Sequence, residues 1–229
     1  MPKKTKTIKK TDKKANKPWL KKIKPSVYKI GVVDTKKILL IVCEGQTEEL
    51  YFKNFPVVTL KVEIIDLGGQ SKIKLVEITQ KRFKKNIYDE IWCVFDMDFN
   101  KDNKKQFSDF DNAIKKAKKL GYKVGYSNDA FELWFYLHYE YTDQKNHRSF
   151  YYKKLSRFWK INYVKYGKKR NFCNKIYQRL IEDDKSSQLK AIENAEKLFL
   201  NQKHLPYHKQ NPVTLIYKLV KVLNDNIKR

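Results

Sequence analysis

Cysteine, glycine, proline and methionine are all scarce in this chain, and no apolar run is long. Each shortage removes a class of protein. The 229 residues hold three cysteines, Cys43, Cys93 and Cys173, at no zinc-like spacing, which argues against a disulfide scaffold and a zinc module. His204 and His208 stand four apart, but Pro206 between them opposes a shared helical face and no cysteine is near. Cys43 and Cys93 fall inside apolar runs, where cysteine packs as a small hydrophobe, as expected in a reducing compartment. No stretch approaches the roughly 18 apolar residues of a membrane span, and the first residues lack the apolar core, about 7 to 15 long, of a secretory signal. A cytoplasmic protein with no membrane partner is the expectation. Seven glycines, six prolines and no Gly/Ser-rich linker or internal repeat speak against a fully separate second domain.

Acids are also short, 25 against 51 Lys and Arg, for a formal charge of +26. A surface so basic makes a polyanion the expected large partner, because phosphates release counterions on meeting it, and nucleic acid comes before acidic membrane. The competing explanation is a proteome biased toward Lys, Asn, Ile and Tyr. Residues 1–37 hold fourteen lysines against Asp12 and Asp34, a net of +12, and the remaining 37 basic and 23 acidic residues add +14. Residues 1–36 show almost no apolar periodicity up to about Pro25 and are expected to be a disordered basic tail. With 41% apolar residues the rest can build a core.

Apolar runs and turn signals alternate from residue 37 to about 141. Lys37–Cys43, Val62–Asp66, Ile91–Phe95 and Tyr122–Tyr126 are of strand length, and each is followed by a helical pattern. Thr47 and Ser71 are candidate helix caps, with Glu48 and Glu49 in the first helix's opening turn. Four successive β-α units predict an α/β fold with a mostly parallel sheet flanked by helices and right-handed crossovers. From 142 to 229 the patterns are helical, over Ser149–Lys160, Arg170–Asp183, Ser187–Leu200 and Val213–Asn224, with Asn211 as cap and Pro212 at the first position of the last. This part is expected to be a helical extension packed on the core.

Six carboxylates sit where strands of such a sheet end, the edge at which α/β proteins gather ligands. Glu44 follows the first run, with Glu48 four residues on; Asp96 and Asp98 close the third; Asp129 and Glu132 follow the fourth. In an extended Asp96-Met97-Asp98 the two carboxylates point the same way, and Glu44 on a neighbouring strand would reach the same cation. Mg²⁺ binds through one or two carboxylates plus substrate phosphate, and a further acid such as Glu48 would hold a second ion or move a proton. Taken singly, each acid has a plainer role: D-x-D as a solvated strand end, Glu48 as a dipole partner, Asp129 as a cap. Glu132, set between Phe131, Leu133 and Trp134, is expected to be buried with a partner.

Four blocks together resemble the RloB-like family: Val42-Cys43-Glu44-Gly45-Gln46-Thr47-Glu48, Trp92 to Asp98, Ser127 to His138, and Asn211-Pro212-Val213-Thr214. The resemblance implies a Toprim-type fold, the α/β module of topoisomerases, bacterial primases and overcoming-lysogenization-defect nucleases. It implies an Mg²⁺ (or Mn²⁺) site at Glu44, Asp96 and Asp98 with catalytic roles, and Glu48 and Glu132 as further acids. It also implies a nuclease effector in phage defence or abortive infection, acting on DNA or RNA and often encoded beside an ABC-type ATPase. Asp129 stands where the family commonly has Pro.

Two other readings compete. A haloacid-dehalogenase-type phosphatase also has D-x-D after an apolar run, but on its first strand with Thr or Val soon after; here Phe99 and Asn100 follow on the third strand, and Glu44 is left without a role. A noncatalytic nucleic-acid-binding or regulatory subunit would use the aromatics from Tyr151 to Tyr166, which could also be helical core. Lys153, Lys154, Arg157, Lys168, Lys169 and Arg170 are the candidate phosphate contacts.

Overall fold

The computed structural model describes residues 36–103 and 105–227. The basic stretch expected to be a tail falls, save Lys36, outside them. From Lys36 onward the chain forms one compact unit.

The expected α/β fold is present. Strands β1 (Ile38–Cys43), β2 (Lys61–Asp66), β3 (Glu90–Asp96), β4 (Lys123–Asn128) and β5 (Val213–Thr214) form a sheet in the order β2-β1-β3-β4-β5. The first four are parallel and β5 is antiparallel to β4. The continuous apolar runs of β1 and β3 are buried almost throughout, as central parallel strands must be, whereas β2 at the edge is half-buried. No helix among the described residues is long and apolar enough to cross a membrane.

Helix α1 (Gln46–Lys53) follows β1, α2 (Lys72–Arg82) follows β2, α3 (Gln106–Lys119) joins β3 to β4, and α4 (Glu132–Tyr136) follows β4. Ser71 caps α2 as expected, its side chain accepting from the Lys74 amide. Thr47 does not cap α1. Gly45 holds that position, and the Thr47 hydroxyl faces the Cys173 thiol at 3.7 Å instead.

The C-terminal part carries α5 (Arg148–Trp159), α6 (Tyr163–Tyr166), α7 (Arg170–Cys173), α8 (Ile176–Glu182), α9 (Gln188–Gln202) and α10 (Ile216–Asn224). It differs from expectation in three places, the first being α6, which none of the expected helical segments covers. The helix expected over Arg170–Asp183 is two helices, α7 and α8. Asn211 and Pro212 do not start the last helix; they lead into β5, where Ser127 and Thr214 pair and share a hydroxyl hydrogen bond of 2.8 Å. The extension therefore completes the sheet as well as covering it. Helix α10 lies close to β4 because Gly125 has no side chain, and a Cβ there would stand 3.2 Å from Ile216 Cδ1.

Candidate metal centre

Sheet order explains the site. Strands β1 and β3 are neighbours, so Glu44, one residue beyond β1, lies beside the end of β3, and its amide donates to the Val94 carbonyl at 2.9 Å. Carboxylate oxygens of Glu44, Asp96 and Asp98 lie within 4.8 Å of one another. Opposite ligands of an octahedral Mg²⁺, at 2.0–2.1 Å from the ion, stand about 4 Å apart, so small side-chain movements bring all three onto one cation.

Asp98 reaches the group by a different route from the extended D-x-D expected of it. Strand β3 ends at Asp96, and Asp98 takes a left-handed backbone conformation, φ 52°, which Asp tolerates better than most residues. Asp129 holds this turn. Its carbonyl accepts from the Asp98 amide at 2.9 Å, and its two carboxylate oxygens accept from the amides of Phe99 at 2.7 Å and Arg148 at 2.9 Å. With both oxygens engaged by backbone, Asp129 is a clamp between the loop after β3 and the start of α5.

The three acids are only partly compensated. Lys72 Nζ lies 2.9 Å from Glu44 Oε1, and Arg148 Nη1 lies 2.6 Å from Asp98 Oδ1. Asp96 pairs with no cation among the described residues; its Oδ2 accepts the Phe131 amide at 3.1 Å. Burial, with Asp98 and Glu44 adding repulsion, raises the Asp96 carboxyl well above its usual range. Burial also raises Glu44, against the pull of Lys72. Glu44 Oε2 is buried and has no hydrogen-bond partner among the described residues. An unpaired buried oxygen beside two further carboxylates is the donor set a hard divalent cation takes, so these residues fit one.

Glu48 and Glu132 form an adjoining layer. Glu48 is buried in the first turn of α1, where burial, Glu132 and Glu44 push its carboxyl up to about 8 against the pull of Lys168. Gly45 leaves room for it: a Cβ at residue 45 would stand 3.1 Å from Glu48 Oε2. Glu132 is fully buried on α4 and has the expected partners. Its Oε1 accepts the Tyr163 hydroxyl at 2.9 Å and pairs with Lys168 Nζ at 2.5 Å, while its Oε2 has no partner among the described residues.

The candidate phosphate contacts are dispersed. Lys168 reaches inward to the acidic layer; Lys154 and Arg157 pair with Glu140; Lys153, Lys169 and Arg170 are exposed. Lys72 and Arg148 were not legible as site residues. Lys72 reads as a solvated helix start and Arg148 lies in an unpatterned polar stretch, although Ser71 as a cap does place Lys72 just beyond a strand end.

No curated protein and no solved structure matches the chain. The sequence model of one family, described as RloB-like protein, matches residues 39–223, which span β1 to α10 and include every residue of the acidic centre. The chain belongs to the RloB-like family.

Proposed function

We propose that the chain is a metal-dependent phosphodiesterase of Toprim type that cuts nucleic acid, using Mg²⁺ or Mn²⁺ held by Glu44, Asp96 and Asp98. The convergence of those three carboxylates, with Glu44 Oε2 unpaired among the described residues, carries the reading. Bound there, a divalent cation supplies charge compensation for the phosphate and acidifies a water for attack. Lys72 and Arg148 hold Glu44 and Asp98 in place, and their positive charge would lie beside a phosphate bound at these acids. Glu48, whose carboxyl keeps a proton near neutral pH, is the group suited to proton exchange with the attacking or leaving oxygen. Lys168 and Tyr163 fix Glu132 behind it.

Membership of the RloB-like family supports a role as an effector in phage defence or abortive infection in a cytoplasmic setting, with an ABC-type ATPase as partner. One observation favours a second reading, a noncatalytic nucleic-acid-binding subunit: Lys72 and Arg148 already neutralise two of the three acids. Incubation of the protein, alone and with a neighbouring ATPase, with plasmid, single-stranded DNA and total RNA separates the two. Cutting that needs Mg²⁺ or Mn²⁺ and disappears in Glu44→Gln and Asp96→Asn is the expected result. Binding without metal-dependent cutting in any of these mixtures supports the second reading.

A further inference from the structure

Beside the acidic centre lies a cleft of about 710 Å³ whose walls include Met97, Phe99, Phe107, Lys145, His208 and Lys209. Phe99 directly follows Asp98 in the chain, so the cleft begins one residue from the metal-binding set. Its rings are arranged as a platform. Phe99 and Phe107 stack with centroids 6.0 Å apart and planes 26° apart, and the His208 ring continues the row 5.2 Å from Phe107. Phe99 and Phe107 are 36% and 39% exposed, whereas most other aromatic rings among the described residues are core.

The His208 end of the platform is anchored by hydrogen bonds. Asp111 accepts from both the His208 amide and its Nδ1, each at 2.8 Å, and the Asn128 amide group at the end of β4 donates to the His208 carbonyl at 3.1 Å. Lys145 and Lys209 put exposed positive charge on the rim. In the wall, Asn211 Oδ1 is a buried acceptor with no partner among the described residues.

We propose that this cleft stacks an unpaired base of a single-stranded nucleic acid and delivers the adjacent phosphate to Glu44, Asp96 and Asp98. The proposal rests on the phosphodiesterase reading and adds the substrate class. A base inside a duplex has both faces covered by its neighbours, whereas an unpaired one offers a face to an aromatic ring and its phosphates to flanking lysines. The volume lies within the roughly 300–1,000 Å³ of ligand-binding clefts.

The test is a binding titration in chelator, where no cutting occurs. Single-stranded DNA and RNA carrying 2-aminopurine, and the matching duplex, are mixed with the full chain and with Phe99→Ala, Phe107→Ala and Phe107→Trp, each checked for native circular dichroism. Both alanine variants are expected to weaken single-strand binding by roughly 5- to 150-fold and to lose the change in 2-aminopurine fluorescence. Phe107→Trp is expected to retain both, and duplex binding is expected to stay unchanged. Equal single-strand affinity in wild type and both alanine variants, or no single-strand binding at all, overturns the cleft's role. Cleavage read separately distinguishes the two claims: metal-dependent cutting indifferent to both alanine variants removes only the cleft, and stacking without cutting removes only the nuclease.

Discussion

Replacing Asp96 by Asn should stabilise the metal-free protein and abolish its response to divalent cations. Asn keeps an oxygen to accept the Phe131 amide and removes a buried charge facing two like charges. At the 4.8 Å limit of their spacing and an effective dielectric constant of 20, each unscreened carboxylate pair costs about 3.5 kcal/mol. Lys72 and Arg148 offset part of this through Glu44 and Asp98, and protonation relieves more, leaving a gain of about 1–3 kcal/mol for the variant at pH 8. For a domain of this size that is a rise in Tm of roughly 2–12 °C. The sign follows from linkage. The folded-state pKa of Asp96 is raised, so the folded protein binds the extra proton above the unfolded pKa, and wild-type stability falls with rising pH until the folded pKa is passed. The advantage of the variant should therefore grow as pH rises above the ordinary aspartate range. A cation at about ten times its Kd should stabilise the wild type by about 1.4 kcal/mol and the variant not at all. Thermal unfolding in chelator and in Mg²⁺ or Mn²⁺ reads both effects. A variant clearly less stable than wild type in chelator, or a wild type indifferent to every divalent cation, would refute the electrostatic account of the site.

Asp129→Ala orphans the amides of Phe99 and Arg148 and should cost about 2–5 kcal/mol in urea unfolding, a structural loss that no metal restores. His138 is buried, with Nδ1 donating to the Trp134 carbonyl at 2.9 Å, and burial lowers its pKa to about 4. The unfolded state then takes up the proton first, so its contribution is intact above about pH 6.5 and is lost as pH falls toward 4, by about 3 kcal/mol. His138→Phe should remove that part of the acid sensitivity, measured as the difference between the two stability–pH curves. Lys168→Met leaves Glu132 buried without its cation. Because half of the Lys168 side chain is in water, the expected loss is about 1–3 kcal/mol, and Glu132→Gln in the same chain should recover most of it, which a double-mutant cycle reads directly.

Much of this site is legible in the sequence. Lys37–Cys43 and Ile91–Phe95 could hardly be anything but buried strands, and acids directly after two such runs needed only the strands to be neighbours in order to meet. What stayed hidden depended on contacts between distant segments. The sequence places Asp98 two residues after Asp96, but its left-handed turn is imposed by Asp129 from beyond β4. Asn211 and Pro212 carry ordinary helix-start chemistry, and only pairing with Ser127 and Asn128 makes the next two residues a strand. Lys168 looked like one of several phosphate contacts because its charge is visible in the sequence and its partner, Glu132, lies 36 residues away.

The most direct measurement is anomalous diffraction from crystals grown with Mn²⁺. A single strong peak bounded by Glu44, Asp96 and Asp98, absent from Asp96→Asn crystals grown in the same way, is the predicted result. Wild-type crystals with no manganese there, and with Glu44 and Asp98 still paired to Lys72 and Arg148, would contradict it.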